Sequence, residues 1–356
     1  MKKGLLFVPF MTGMGGKETV IHNLFAAMNK QQSSHYNLKV YSIGGSFDYH
    51  WADGVPASVT EISKKRIIRT AYYASVLPLK MHKIIKQEKP DFIISVNPIM
   101  WTIAKYISKQ MHLNIPIIAW YHYSLSNKPI KPFILKSADY YLAISSGIKQ
   151  ELINRGIEAK RIFLVFNPIV SDGQLIPQPL KTKHFIYLGR LMLDGQKNLR
   201  ELLTALSKVQ GDWVLDVFGD PAQAQPIVEF AQQLKLDQKI IWHGFVSDPW
   251  NHIPKATALL LTSKYEGLPM VLCEAISHGV YIVSANMPTG PDDIVNQQNG
   301  QLYDPGDTVT LTRIIQKIVD NETELPQPAD IQKTSVKFSP EAYLKRFNNA
   351  INAIVH

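Results

Sequence analysis

Cysteine is almost absent from this chain of 356 residues, which contains only Cys273. A single cysteine excludes a disulfide framework within the chain, and it fits a protein that works in the reducing cytoplasm. Long apolar runs are also missing, since no stretch approaches the roughly 18 residues that a membrane-spanning helix needs. The apolar stretch Leu5–Met11 is short and contains Pro9, so we interpret it as a first β-strand rather than as a signal peptide.

Two familiar ligand-binding patterns are absent as well. No cluster of His, Asp, Glu or Cys has the spacing of metal ligands, so the sequence predicts a site that works without a metal. The dinucleotide fingerprint G-x-G-x-x-G is incomplete, although Thr12–Glu18 forms a glycine-rich turn between a predicted strand and a predicted helix. Backbone N–H groups in such a turn can approach an anionic or sugar ligand; a tight turn without a ligand is the alternative.

The composition is that of a globular protein with an uneven charge. Apolar residues make up 46% of the chain, and 356 residues suggest two domains. Residues 1–168 contain 22 Lys and Arg against 9 Asp and Glu, a net charge of +13, whereas the remainder has a net charge of −4. A basic first half predicts a polyanionic partner, with nucleic acid, an anionic membrane surface and an anionic glycolipid as the candidates.

One stretch of the first half combines positive charge with apolar and aromatic residues. Residues 62–87 read as two basic amphipathic helices divided at Pro78, which is typical of a segment that lies on a membrane surface. An ordinary exposed helix whose Tyr and Leu side chains face the core is the alternative. The residues that we assign to acceptor or membrane contact are Lys64, Lys65, Arg66 and Arg69.

Short apolar runs alternate with helical patterns through both halves of the chain. The predicted strands end in loops of Gly, Asp, Arg or Ser, which is typical of doubly wound parallel sheets that bind ligands at the carboxyl ends of their strands. We predict a first domain at 1–168, a proline-bearing linker at 169–183, a second domain at 184–338 and a terminal helix at 339–356. Predicted elements of the second domain include the helix Leu199–Val209 and the strands Trp213–Phe218, Ala258–Leu261 and Tyr281–Ala285.

A pair of carboxylates stands at the centre of the second half. Glu266 lies in the turn Lys264–Pro269, and Glu274 lies eight positions further on, in the apolar helical segment Met270–Ile276. Because such a turn lies over the first residues of the helix, both carboxylates can reach one ligand and accept hydrogen bonds from sugar and ribose hydroxyls. In the alternative reading, Glu266 complements the helix N-terminus and Glu274 is solvated.

Cations and a histidine complete the set of candidate site residues. Arg190 and Lys197 share a loop after the first strand of the second half, and a planar guanidinium with a point charge suits a diphosphate. They could also neutralise the charge on a departing phosphate. In the first half, His122 follows the predicted strand Pro116–Trp120 and stands where parallel sheets place ligands, although a lone histidine can be structural.

This combination of residues resembles the retaining GT-B glycosyltransferases of family 4. The resemblance implies two Rossmann-like domains that face each other across a cleft, with the acceptor in the first domain and a nucleotide-diphosphate sugar in the second. It also implies that the terminal helix crosses back to the first domain, and that no metal is required. The stretches that support it span nearly the whole chain: GGKETVIHN, ADYYLAISSGIKQELINRGI, GRLMLDGQKN, LLLTSKYEGLPMVLCEA and GPDDI.

The resemblance also implies roles for single residues. Arg190 and Lys197 would bind the diphosphate, and Glu274 would bind the ribose hydroxyls. Glu266 would hold the transferred sugar and support the developing oxocarbenium ion. The order Gly195-Gln196-Lys197 departs from the Lys-Gly pair that is common in the family. Gly16 would let the backbone approach the phosphate or sugar, and His122 would contact the sugar near the reacting carbon. Phe245 lies in the loop that would frame the base. Gly267 and Leu268 would make two further contacts with the donor.

Together these expectations define a hexosyltransferase. The favoured reaction moves galactose from UDP-galactose to a membrane-associated glycolipid or polysaccharide such as the lipopolysaccharide core, on the inner face of the cytoplasmic membrane and without nucleic acid. A transferase that uses UDP-glucose or another hexose and acts on teichoic acid, a glycoprotein or a capsular or exopolysaccharide acceptor is the alternative. A UDP-sugar epimerase of GT-B shape and a membrane-binding scaffold with an inactive site are further alternatives.

Overall fold

The computed structural model describes residues 1–13, 15–30 and 36–355, apart from the side chain of Gln223. Met14, in the predicted glycine-rich turn, lies outside the described residues. The chain forms two compact units: Met1–Pro168 with Ser339–His356, and Ile169–Phe338. Within the described residues, none of the helices combines the length and apolar character that crossing a bilayer requires.

The first unit is built on a parallel sheet with the strand order β3-β2-β1-β4-β5-β6-β7. Its central strands, Lys2–Val8 and Phe92–Ser95, are mostly apolar and are buried over most of their length, as expected of parallel strands that are covered on both faces. The strands are β1 (Lys2–Val8), β2 (Tyr36–Gly44), β3 (Ala57–Glu61), β4 (Phe92–Ser95), β5 (Ile117–Ala119), β6 (Tyr140–Ala143) and β7 (Ile162–Leu164).

Helices connect most of these strands in the order that a doubly wound fold requires. Helix α1 links β1 to β2, and a pair of helices links β3 to β4 across a break at Val76, beside Pro78. The helices are α1 (Gly16–Lys30), α2 (Arg66–Ser75), α3 (Leu77–Glu88), α4 (Pro98–Gln110), α5 (Pro132–Leu135) and α6 (Ser146–Asn154).

The second unit repeats this plan with the strand order β10-β9-β8-β11-β12-β13, again parallel. Its strands are β8 (Lys183–Leu188), β9 (Trp213–Phe218), β10 (Ile240–Gly244), β11 (Ala258–Leu261), β12 (Tyr281–Ala285) and β13 (Gly300–Tyr303). Its helices are α7 (Leu199–Leu206), α8 (Gln225–Gln233), α9 (Met270–Ser277), α10 (Pro291–Ile294), α11 (Thr308–Val319) and α12 (Pro328–Lys333).

The last helix, α13 (Pro340–Val355), belongs to the first unit and packs on α1. The ring of Phe347 lies 6.1 Å from that of Tyr36 and 6.3 Å from that of Trp120, between centroids, and Arg346 Nε donates to the carbonyl of Val165 at 3.1 Å. A helix that follows the second unit therefore completes the core of the first, as the fold class predicts.

The stretch between the two sheets packs on the second unit instead of bridging freely. Ile176 is buried, and its N–H donates to the carbonyl of His278 at 2.9 Å, at the end of α9. Ile169 N–H likewise donates to the carbonyl of Phe338 at 2.9 Å. The buried side chains of Ile169 and Ile176 therefore anchor this segment to the second unit, although its composition is that of a loop.

Several predicted elements are confirmed, and others differ for clear reasons. Strands β9, β11 and β12 have the predicted bounds. Helix α7 ends at Leu206, before the predicted Val209, because the next residues turn to bury Val209. Strand β3 was not predicted, because its sequence, Ala-Ser-Val-Thr-Glu, is a half-exposed edge strand without an apolar run.

Candidate active site

The loop between β8 and α7 holds the two predicted phosphate-binding cations. It starts where Gly189 N–H donates to the carbonyl of Phe218 at 3.0 Å, which ties it to the carboxyl end of β9. The hydroxyl of Tyr187 donates to the carbonyl of Arg190 at 2.7 Å. Burial raises the pKa of the Tyr187 hydroxyl, so this donor remains protonated at neutral pH. The backbone of Arg190 is thereby fixed at the carboxyl edge of the sheet.

The backbone of Lys197 is fixed as well. Asn198 follows it in a left-handed conformation (φ 51°), one that asparagine tolerates better than most residues. Thr262 Oγ1 lies 3.2 Å and 3.0 Å from the carbonyl oxygens of Lys197 and Asn198. The Asn198 amide donates to buried Glu201, which also accepts from the hydroxyl of Tyr303 at 2.8 Å. This buried network sets the direction in which Lys197 leaves the loop.

Lys197 and Glu266 form an ion pair. Lys197 Nζ lies 2.7 Å from Glu266 Oε1, and each side chain is only 13% exposed. Both charges are largely withdrawn from water, so each depends on the other. The structure thus brings together one predicted diphosphate ligand and the predicted sugar-binding carboxylate.

Gln196 connects this ion pair to the second cation. Arg190 Nη2 donates to Gln196 Oε1 at 2.6 Å, and Gln196 Nε2 donates to Glu266 Oε2 at 3.2 Å. We call these four residues the cation–carboxylate cluster: Arg190, Gln196, Lys197 and Glu266.

The turn that bears Glu266 is held by the loop after β12. Glu266 N–H donates to the carbonyl of Pro288 at 3.0 Å, and Thr289 Oγ1 donates to the carbonyl of Gly267 at 2.6 Å. Gly290 has a positive φ of 100°, and a Cβ there would lie 2.9 Å from Pro269 Cδ and 3.1 Å from Leu268 Cα. The two loops are therefore in close contact, and Gly290 is needed for it.

Glu274 has a different partner from Glu266. It lies on α9, and its Oε2 accepts a hydrogen bond from Trp250 Nε1 at 3.1 Å. Burial raises the pKa of the Glu274 carboxyl, while the Trp250 hydrogen bond partly opposes the shift. The indole of Trp250 stacks on His278, with centroids 5.1 Å apart. Phe245, the predicted base-framing residue, follows β10 and is 56% exposed.

In the first unit, the glycine-rich turn is organised by a residue that the sequence analysis did not single out. Glu18, in the first turn of α1, is buried, and its Oε1 accepts from Thr12 N–H at 2.7 Å and from Gly13 N–H at 3.2 Å. A Cβ at Gly15 would lie 2.6 Å from Glu18 Oε2. Gly16 begins the helix. The sequence signal for this role of Glu18 is an acidic residue at the third helical position, from which a carboxylate can reach back to the N–H groups of the preceding turn.

His122 is a buried, neutral imidazole. It follows β5 and lies against Trp120, with ring centroids 4.7 Å apart. Burial, together with the nearby charge of Lys17, lowers the pKa of His122 to about 3. Its Nε2 is buried and has no hydrogen-bond partner among the described residues.

The predicted acceptor or membrane residues surround the start of α2. None of the helix residues is buried, and Ile67 is 84% exposed beside Arg66. Arg69 is the most constrained of the group, because its guanidinium lies 3.9 Å over the ring of Phe10 and its Nη1 donates to the carbonyl of Ser63 at 3.3 Å. Lys64 Nζ lies 5.7 Å over the ring of Phe47, which is itself exposed.

Two further residues of the second-unit site were missed. The only sequence signal at Gln196 is the order Gly195-Gln196-Lys197, which departs from the family's Lys-Gly pair. Its amide contacts Glu266 across 70 positions of sequence, and no spacing rule predicts a contact at that separation. Trp250 carries no sequence signal that links it to Glu274. Over the ranges that the structure describes, no group of three or more His, Cys, Asp or Glu residues is placed to hold a metal ion.

The second-unit site combines two cations with two carboxylates at the carboxyl edge of a parallel sheet. Such cations can bind a diphosphate and stabilise negative charge on a leaving group, while carboxylates accept hydrogen bonds from hydroxyls. These are the chemical requirements of a transferase that uses an activated sugar.

Comparison with known proteins agrees with this chemistry. The family model described as "Glycosyltransferase Family 4" matches residues 14–172, and the model described as "Glycosyl transferases group 1" matches residues 174–337. The fold and the site define a glycosyltransferase of the GT-B fold class, with two Rossmann-like units.

Individual relatives place the chain more narrowly. The lipopolysaccharide 1,6-galactosyltransferase of Escherichia coli strain K12 is 34% identical over 353 residues, covering 96% of this chain and 95% of that protein. The same enzyme of Salmonella typhimurium strain LT2 is 32% identical, covering 96% of each. The structure of the lipopolysaccharide outer core galactosyltransferase WaaB in its apo form matches with a TM-score of 0.85 and 31% identity, covering 98% of this chain and 99% of that one. The chain belongs to glycosyltransferase family 4, and it is a hexosyltransferase.

Proposed function

We propose that this enzyme transfers galactose from UDP-galactose to the lipopolysaccharide core, with retention of configuration. The observation that supports the proposal most directly is the Lys197–Glu266 ion pair, which Gln196 joins to Arg190. The full-length similarity to two lipopolysaccharide 1,6-galactosyltransferases favours this hexose and this acceptor.

Each residue of the second-unit site has a role in the proposal. Arg190 and Lys197 bind the diphosphate and stabilise its charge as it leaves, which is the work that a divalent metal does in other enzymes. Glu266 binds the transferred hexose, and Glu274 binds the ribose. Phe245 provides an exposed ring for the base. The donor contacts assigned to Gly16, Gly267 and Leu268 and the sugar contact assigned to His122 stay predictions.

We also propose that the first unit contacts an anionic membrane through α2. The exposed isoleucines Ile67 and Ile68 are flanked by the basic residues Arg66 and Arg69, and basic residues beside exposed apolar ones are typical of a helix that lies in the membrane interface. The net charge of +13 in residues 1–168 adds long-range attraction to anionic lipids. Such contact would bring the enzyme to a glycolipid acceptor.

The proposal is tested by isothermal titration with UDP, UDP-galactose and UDP-glucose in the presence of EDTA. We expect UDP to bind, UDP-galactose to bind more tightly than UDP-glucose, and Arg190→Ala to weaken UDP binding by about tenfold or more, since a charge-assisted hydrogen bond is lost. Arg313→Ala is the matched control, because Arg313 is an exposed arginine of the same unit that donates to Thr310 on its own helix.

Three results would contradict parts of this assignment. If UDP binds only when Mg²⁺ is added, the metal-free role of the cations is wrong. If UDP-glucose gains affinity over UDP and UDP-galactose does not, the transferred sugar is glucose. If none of the three ligands binds the wild-type enzyme, the donor assignment as a whole fails.

A further inference from the structure

Gln196 makes three side-chain hydrogen bonds within the cation–carboxylate cluster. Its Oε1 accepts from Arg190 Nη2 at 2.6 Å. Its Nε2 donates to Glu266 Oε2 at 3.2 Å and to the carbonyl of Tyr265 at 3.1 Å. The primary amide therefore faces a cation with its acceptor, and a carboxylate and a backbone carbonyl with its donors.

An amide satisfies all three of these neighbours at once. A carboxylate in this place would accept from Arg190 but repel Glu266, and an ammonium would donate to Glu266 but repel Arg190. The backbone of Gln196 is fixed independently, because its carbonyl accepts from Lys264 N–H at 2.8 Å. A change of this side chain thus alters the amide contacts while the loop keeps its anchor.

In the proposed function, the ion pair in the cluster opens when the donor binds. Lys197 Nζ is engaged by Glu266 Oε1, whereas the proposed function requires Lys197 to bind the diphosphate and Glu266 to bind the hexose. When Lys197 turns to the diphosphate, Glu266 loses its partner at Oε1. Its second oxygen, Oε2, still accepts from Gln196, which is uncharged and does not compete for the diphosphate.

We propose that Gln196 is a positioning residue that holds the Glu266 carboxylate in place through Oε2 while Lys197 exchanges its ion pair for the diphosphate. Through Oε1, the same amide accepts one hydrogen bond from Arg190, whose guanidinium keeps its other N–H donors for the diphosphate. The inference rests on the proposed function, and it extends that function to a residue that itself needs no contact with the donor.

The test compares Gln196→Met and Gln196→Glu with the wild-type enzyme by titration and steady-state kinetics. Methionine has nearly the same length without the amide, so packing of this half-buried side chain is kept. For Gln196→Met we expect the Kd of UDP to change by less than about threefold. The gain in affinity from UDP to UDP-hexose should disappear, and kcat should fall by about tenfold or more, since an amide hydrogen bond to a charged group is lost. Gln238→Met is the control, because Gln238 is an exposed glutamine whose amide donates to the neighbouring Asp237.

The pH profile of Gln196→Glu separates positioning from mere packing. Two adjacent carboxylates raise the pKa of one of them, and the protonated acid offers one O–H donor for Glu266 and one oxygen acceptor for Arg190, without the second donor of the amide. Arg190 and Lys197 are the facing cations, and Tyr187 stays neutral because its pKa is raised. We expect kcat of Gln196→Glu relative to the wild type to rise severalfold from about pH 8 to about pH 5.5, and that of Gln196→Met to stay flat.

The outcomes distinguish this inference from the proposed function. If the wild type binds UDP and UDP-hexose but Gln196→Met keeps the affinity gain and kcat, the positioning role is wrong. It is also wrong if Gln196→Glu and Gln196→Met have the same pH profile. If the wild type binds neither UDP nor a UDP-hexose, the proposed function fails and the role of Gln196 falls with it. Thermal unfolding of each variant shows whether a loss of kcat reflects a loss of fold.

Discussion

His122 is a residue whose environment decides its charge. Its imidazole is buried against the ring of Trp120 and lies near the positive charge of Lys17. A histidine that stays neutral down to about pH 3 can offer a lone pair or a single N–H to a ligand, but it is not a source of positive charge at neutral pH.

This burial predicts a specific dependence of stability on pH. The folded pKa of about 3 lies below the unfolded value of about 6.5, so the unfolded state binds more protons between them. The contribution of His122 is therefore fully present above about pH 6.5 and is lost as pH falls, by about 2 kcal/mol at about pH 5. Urea unfolding of His122→Gln should show a shallower loss of free energy of unfolding between these pH values.

His50→Gln is the control for this experiment, because the side chain of His50 is 87% exposed. It should keep the wild-type dependence. If the free energy of unfolding of His122→Gln falls with decreasing pH as steeply as that of the wild type, the imidazole is solvated enough to titrate normally.

At the scale of elements, the loop after β12 is what places the Glu266 turn. Gly290 allows that contact through its positive φ and its lack of a Cβ. The Cβ of an alanine there would lie too close to Pro269 and Leu268. Relief of this close contact would shift the turn, and with it the Glu266 carboxylate.

We predict that Gly290→Ala lowers both stability and affinity for UDP-hexose. Its backbone strain should cost about 1 kcal/mol, and displacement of the turn adds to it. Gly306→Ala is the matched control, since Gly306 has a similar φ of 89° and a Cβ added to it would meet no atom within 4 Å. Equal ligand affinity of the two variants, measured by titration, would show that the loop does not position Glu266.

The elements also show what the sequence can and cannot predict. Strands β9, β11 and β12 have strong, continuous apolar runs, and their bounds follow from the pattern alone. Strand β3 lacks such a run, because only one edge of it is paired. In the site, spacing indicated Lys197 and Glu266 as candidates, but their ion pair depends on two loops meeting across 69 positions. Packing between distant loops, which has no local signature, creates that contact.

At the scale of the whole molecule, charge is divided between the two units. The basic first unit presents α2 with exposed Ile67 and Ile68, and the second sequence half has a net charge of −4. This asymmetry would orient the first unit toward an anionic surface.

We predict that the enzyme sediments with phosphatidylcholine vesicles containing phosphatidylglycerol, but not with phosphatidylcholine alone. The double variant Lys65→Glu and Arg66→Glu should lose most of this binding, since each basic residue near such a surface contributes about 1 kcal/mol. Lys208→Glu with Lys255→Glu makes the same change of charge at exposed sites of the second unit and is the control. Equal loss in both double variants would point to net charge rather than α2.

The placement of α13 has a consequence for how the protein is made. The second unit is continuous in sequence, from Ile169 to Phe338, so all of it has left the ribosome before α13 does. The first unit begins earlier but lacks Phe347 beside Tyr36 and Trp120 until residues 340–355 emerge. During synthesis, the unit that is translated first is thus completed last, because α1 gains its contacts with α13 only after residues 340–355 have emerged.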